Sequence, residues 1–205
     1  MKHQNVTPQL ILASASPRRR ELLEKIGVAF VVIPSDTPET AQPGELPQAY
    51  ALRVADEKAQ DVARKHPGAW VLGADTIVEI DGEVLGKPRD AADGQRMLRQ
   101  LSGRTHQVMT AFALLDRGGQ VRTKQVVTSR VTFKPLSDAQ IQAYLATDEP
   151  FDKAGAYAVQ GLGASLVEGV EGSYTNIVGL PLDEVQAALR AAGLLNHQEA
   201  AKDDD

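Results

Sequence analysis

Two short glycine turns constrain this chain most. Asp81-Gly82 lies inside "AWVLGADTIVEIDGEVLGKPRD", between a long apolar run and a short return segment. Arg117-Gly118-Gly119 lies between the apolar runs at residues 107–115 and 121–133. Both are hairpin signals, so part of the sheet must be antiparallel. Elsewhere strand-like and helix-like stretches alternate, the pattern of an α/β chain. Together these features predict an α/β fold with a mixed, twisted sheet flanked by helices, and they exclude a purely parallel one.

Residues 9–14 read as a short buried strand. Ser16 is a suitable N-cap with Pro17 in the first helical position, Leu22, Leu23 and Ile26 form an apolar stripe, and Gly27 ends the helix. Residues 28–33 read as a strand, followed by the proline-rich loop "PSDTPETAQPGELP", too long for a simple connection. Pro47–Lys65 is predicted helical from the spacing of Ala51, Val54, Ala55, Ala59 and Val62. Asp90 should cap a helix reaching about Leu101, and Ser137-Asp138-Ala139-Gln140 should open another to Leu145. Glycine-rich residues 152–179 suggest short strands between turns, residues 181–192 a closing helix, and residues 196–205 a polar acidic tail. Residues 1–195 are expected to form one domain.

The chain of 205 residues is long enough to bury a core without staples. It has no cysteine, which excludes disulfides, thiolate metal sites and cysteine nucleophiles and suits a reducing cytoplasm. No apolar run approaches the ~18 residues of a membrane span. With 22 Lys and Arg against 27 Asp and Glu, the formal net charge is −5, and aromatic residues make up 4%. Both argue against a nucleic-acid partner. A phosphate ligand would have to be bound locally, which favours a small anion.

The segment "LILASASPRRRELLEKIGVAF" supplies a place for one. Arg18, Arg19 and Arg20 fall where a strand hands over to a helix N-terminus, and Ser14 sits in the same loop. Free amides and the helix dipole favour an anion there, and arginine adds a fork for phosphate. The same cations oppose the dipole, so they want either an anion or pairing with Glu21 and Glu24. Asp75 interrupts an apolar strand where a carboxylate is costly, next to Thr76. It is either a strand-end residue satisfied by amides or a metal ligand or general base. Lys58, Lys87 and Glu39 look by themselves like surface charges. Gly155, Gly161 and Gly163 around Tyr157 and Gln160 would let the backbone approach something closely. The four histidines lack metal-ligand spacing, and no Walker, GxGxxG or GxSxG sequence occurs.

Taken in order, "ASASPRRRELL", "GADTIV", "GKPRD", "LSGRTHQVMT", "DKAGAYAVQG" and "GSYTNIVGLPL" resemble the Maf-type nucleotide pyrophosphatases, from about Leu10 to Leu189. The resemblance implies an elongated mixed α/β fold with two lobes around a nucleotide cleft, often homodimeric. It implies hydrolysis of a nucleoside triphosphate to monophosphate and pyrophosphate, assisted by Mg²⁺ or Mn²⁺. By the same resemblance Asp75 is the catalytic base and a metal ligand with Glu39. Ser14, Arg18, Arg19, Lys58 and Lys87 bind the substrate phosphates, Arg18 being favoured over Arg19, and Arg20 is a helix-surface residue. Arg18, Thr76 and Gln160 match the family branch acting on dTTP and UTP rather than the one acting on 7-methyl-GTP. A neutral Gln160 amide can pair with a uracil or thymine edge, whereas a glutamate would suit cationic 7-methylguanine. A partner-binding module in septum regulation is the competing class of function.

Overall fold

A computed structural model describes residues 9–195 and organises them around one seven-stranded mixed sheet. The strands are β1 (Leu10–Leu12), β2 (Val31–Val32), β3 (Trp70–Ile80), β4 (Glu83–Leu85), β5 (Thr105–Leu115), β6 (Val121–Phe133) and β7 (Val167–Glu171). Their order is β2-β1-β3-β5-β6-β7, with β4 pairing beside β3. The helices are α1 (Pro17–Glu24), α2 (Pro47–Lys65), α3 (Ala91–Leu101), α4 (Asp138–Leu145), α5 (Tyr174–Val178) and α6 (Leu182–Ala191). β1 runs parallel to β2 and β3, and every other pairing is antiparallel. Both glycine turns therefore do what the sequence predicts. At the first, Asp81 (φ 55°) and Gly82 (φ 81°) are both left-handed, as a two-residue type I′ hairpin requires.

β3 carries the architecture. Its residues 71–79 pair with β5 along one edge. On the other edge β1 pairs with residues 70–72 and β4 with residues 78–80. Among the described residues, 73–77 are left between the two without a ladder partner on that side.

One face of the sheet is covered by α2. Ala59 and Val62 pack with Ile11, Val71, Ala113 and Leu115, and Tyr50, Ala51, Val54 and Ala55 pack with Ile77, Met109 and Ala111. The helix sits close because β3 offers it Gly73. A Cβ there would clash with the Ala55 carbonyl oxygen and come within 2.8 Å of the Ala59 nitrogen. The opposite face carries two separate cores. Leu10, Leu12, Leu23, Leu72, Phe112 and Leu189 form one, under α1 and α6. Val78, Leu85, Leu98, Val131, Phe133 and Tyr144 form the other, under α3 and α4. The two cores flank the open stretch of β3.

The local signals mostly hold. Ser16, Asp90 and Ser137 all cap their helices through side-chain oxygens, and Ser137 and Gln140 form a full capping box. Two expectations need correction. The strand expected at residues 28–33 shrinks to Val31–Val32, whose side chains are exposed, because β2 is an edge strand with only β1 to pair with. The expected short strands in residues 152–179 are instead 3₁₀ turns at Ala154–Ala156 and Gly161–Leu166, one strand, β7, and the helix α5. Left-handed glycines at 155, 161, 172 and 179 break the extended conformation there. The tail expected at residues 196–205 lies outside the described residues.

Candidate active site

The unpaired stretch of β3 opens into a cleft of about 540 Å³, a volume suited to a small molecule. Ser14, Arg18, Arg19, Glu39, Lys58, Asp75, Thr76, Lys87 and Gln160 all line it. Residues scattered over most of the chain are brought together by topology. The loop after β1 leaves the sheet where β3 continues, so the N-terminus of α1 overhangs Asp75 and Thr76. Strand ends of this kind are where open α/β sheets hold ligands.

Consecutive strand residues point to opposite faces, so Asp75 and Thr76 serve different walls. Asp75 points towards α2, is 5% exposed, and accepts a hydrogen bond from Lys58 Nζ at 2.7 Å. The same ammonium contacts Glu39 Oε1 at 2.6 Å, and Lys87 Nζ lies 3.7 Å from Glu39 Oε2. Lys58, which in sequence resembles an ordinary helical lysine, is 7% exposed and shared by two carboxylates. Burial disfavours the Glu39 carboxylate, but the hydrogen bond from Lys58 and the charges of Lys58, Lys87 and Arg19 hold its carboxyl below the usual range.

Glu39 reaches this position because the proline-rich loop is pinned along α2. Thr37 donates to the Glu57 carbonyl, Ser35 to Asp61, and Arg53 bonds Glu45, Glu57 and the Thr40 carbonyl. The loop's composition marks it as irregular, and its anchoring to one helix makes it part of the site.

Thr76 faces the other way, into a cradle for Arg19. Arg19 is 9% exposed, and its guanidinium donates to the Gly179 carbonyl (2.8 Å), Ser14 Oγ (3.1 Å) and Thr76 Oγ1 (2.9 Å). Thr76 Oγ1 is in turn 2.9 Å from Thr110 Oγ1, which donates to the Asn176 carbonyl. Asn176, fully buried, grips Val108, Thr110 and Ser129 with its side-chain amide. Among the described residues no carboxylate pairs with Arg19. Burial pulls its pKa down, against the field of Asp75 and Glu39. A buried cation whose partners are all neutral is a costly arrangement that an incoming anion would relieve. Arg18, partly exposed, stands at the cleft mouth 3.9 Å from Asp152, while Arg20 lies on the surface of α1, paired with Glu24 at 2.8 Å.

Gln160 is exposed on the far rim. Sequence reasoning missed the residues behind these walls: Thr110, Asn176, Asp152, Tyr144 and Glu149. Thr110, Asn176 and Asp152 fall within "LSGRTHQVMT", "GSYTNIVGLPL" and the glycine-rich segment, whereas Tyr144 lies in α4 and Glu149 just after it, where no motif marks them.

Asp75 and Glu39 already converge on one cation, Lys58, so the donor set suits a hard divalent ion. Among the described residues no cluster of three or more acidic, histidine or cysteine side chains occurs. Such an ion would therefore take its other ligands from phosphate and water, the usual habit of Mg²⁺.

The fold and the cleft thus define an α/β protein with a cationic pocket over a buried carboxylate, made for a small polyanion. The chain belongs to the Maf-like protein family, whose model matches residues 9–192. It is 55% identical to a dTTP/UTP pyrophosphatase of Myxococcus xanthus, over 90% of this chain and 93% of that protein. It is 54% identical to a dTTP/UTP pyrophosphatase of Anaeromyxobacter dehalogenans (92% and 96% covered). The identity is 51% to one of Geobacter metallireducens (91% and 97% covered).

Proposed function

We propose that this chain hydrolyses dTTP and UTP to the monophosphate and pyrophosphate, clearing such nucleotides from the cellular pool. The observation that carries this reading is the pairing of a buried, carboxylate-free Arg19 with the Asp75–Lys58–Glu39 cluster across one strand. The first is a seat for phosphate, and the second can hold and deprotonate water. The names of relatives more than 50% identical over nine-tenths of the chain support the same substrates.

In this mechanism Arg19, held by Ser14, Thr76 and Gly179, receives phosphate oxygens through its remaining N–H groups. Arg18 and Lys87 add charge at the mouth, and Lys58 can turn from the carboxylates towards the phosphate chain. Asp75, relieved of that ammonium, accepts a proton from the attacking water as the bond to the pyrophosphate leaving group breaks. A divalent cation, Mg²⁺ or Mn²⁺, held by Asp75 and Glu39, would neutralise charge developing on the phosphates. Gln160 meets the pyrimidine edge. A homodimer in the cytoplasm completes the reading, on the strength of the family resemblance and the cysteine-free composition.

The test is product analysis on dTTP, UTP, CTP, GTP and 7-methyl-GTP with Mg²⁺ or Mn²⁺. Pyrophosphate release far faster from dTTP and UTP than from the other three is expected. A preference for 7-methyl-GTP would overturn the substrate assignment, and orthophosphate as the primary product would overturn the bond cleaved.

A further inference from the structure

The glycines flanking Leu162 in Gln160-Gly161-Leu162-Gly163 invite the view that backbone there approaches a ligand. The structure gives them a different neighbour. A Cβ on Gly161 (φ 68°) would collide with Glu149 Oε2, and a Cβ on Gly163 would clash with the Ala158 carbonyl and lie 2.7 Å from the Tyr144 hydroxyl. Glu149 accepts hydrogen bonds from the Leu162 N–H (3.0 Å), the Gly163 N–H (2.8 Å) and the Tyr144 hydroxyl (2.9 Å). The Tyr144 oxygen also accepts the Ala158 N–H at 3.2 Å. One carboxylate and one phenol thus secure three amides within six residues, and those six residues carry Gln160.

Glu149 also does for this 3₁₀ turn what a capping residue does elsewhere, taking its free amides from outside the turn. Gln160 occupies the cap position itself, yet its side chain makes no capping bond. Among the described residues its amide has no hydrogen-bond partner, and it stands at the rim of the cleft on a turn held from behind.

We propose that Glu149, with Tyr144, is a positioning residue for pyrimidine selection, fixing the turn that presents the Gln160 amide to the base. This rests on the proposed dTTP/UTP activity, with Gln160 meeting the base. Neither residue lines the cleft, so a variant should disturb recognition of the base more than the chemistry at the phosphates.

The experiment compares wild type, Glu149→Gln, Tyr144→Phe, Gln160→Ala and the double variant Glu149→Gln/Gln160→Ala in UTP and CTP hydrolysis, with melting temperatures alongside. Glu149→Gln keeps the size of the side chain but turns an N–H₂ towards one of the two amides. Its KM for UTP should rise about tenfold, the scale of one hydrogen bond, with kcat little changed. The UTP:CTP ratio of kcat/KM should fall about tenfold, and Tyr144→Phe should follow in the same direction. In the double variant the ratio should fall no further than in Gln160→Ala alone, because both changes act through one group. An unchanged ratio in Glu149→Gln and Tyr144→Phe, with only the melting temperature lowered, would reduce the pair to a structural brace and overturn the inference. Failure of the activity itself is distinguishable, since wild type would then release no pyrophosphate from UTP.

Discussion

Asp75 is the residue on which the proposed chemistry depends, and its neighbours explain why a carboxylate is tolerated in the middle of a buried strand. Lys58 and Glu39 make it one member of a charge cluster rather than an isolated ion. Asp75→Asn retains shape but cannot take a proton, so turnover should fall about 10²–10⁴-fold, the usual share of a general base. Nucleotide affinity, measured by calorimetry, should stay within a few fold, and near-normal turnover would remove the proposed base. Residue identity was legible here because Asp75 breaks an apolar run. Lys58 was not legible, because a lysine on an amphipathic helix reads as solvent-facing until the strand beneath it is known. Thr76 was recognised as a branch marker, but its contact with Arg19, 57 positions away in sequence, follows only from the fold.

At the scale of elements, local rules sufficed wherever a helix or hairpin was specified by its own ends. The boundaries of α2 and β6 coincide with the expected ones, and the caps of α1, α3 and α4 were visible in sequence. They failed in residues 152–179, where the conformation is set by Glu149, Tyr144 and left-handed glycines rather than by periodicity. The contact of α2 with β3 through Gly73 is another feature no pattern announces. Gly73→Ala would force a methyl group against helix backbone, which cannot yield as a side chain can. Overpacking of this kind should cost about 3 kcal/mol, read as a lower urea midpoint at unchanged m-value. Because Asp75 and Lys58 lie across the same contact, activity should fall with stability. A variant of wild-type stability would show that α2 can move away.

For the whole molecule, the two cores on one face of a single sheet are what create the cleft, and no local signal distinguishes them from one continuous core. Behind Tyr157, which lines the cleft, lies His106, 2% exposed, with Nε2 2.7 Å from the Tyr157 hydroxyl, Nδ1 without a partner among the described residues, and edge-on contacts to Phe133 and Tyr157. Burial pushes its pKa down to about 4. The neutral ring is thus favoured in the folded state, while the unfolded chain takes up a proton once pH falls below about 6.5. Stability should be unaffected by this group above that value and decline by about 3 kcal/mol as pH falls to 4. The comparison that isolates it is the wild-type minus His106→Phe difference in unfolding free energy across pH 4–7. A difference constant with pH would show that the ring titrates normally.

The alternation of Asp75 and Thr76 across β3 also limits how this chain can vary. Inserting or deleting one residue in the strand ahead of Asp75 would exchange the two faces, sending the carboxylate towards Arg19 and the hydroxyl towards Lys58. Point substitutions can retune either wall separately, but length changes in this strand cannot be intermediate in effect. Inherited or engineered differences in length should therefore collect in the loops that reach the cleft, and the eleven residues of β3 should behave as a fixed ruler.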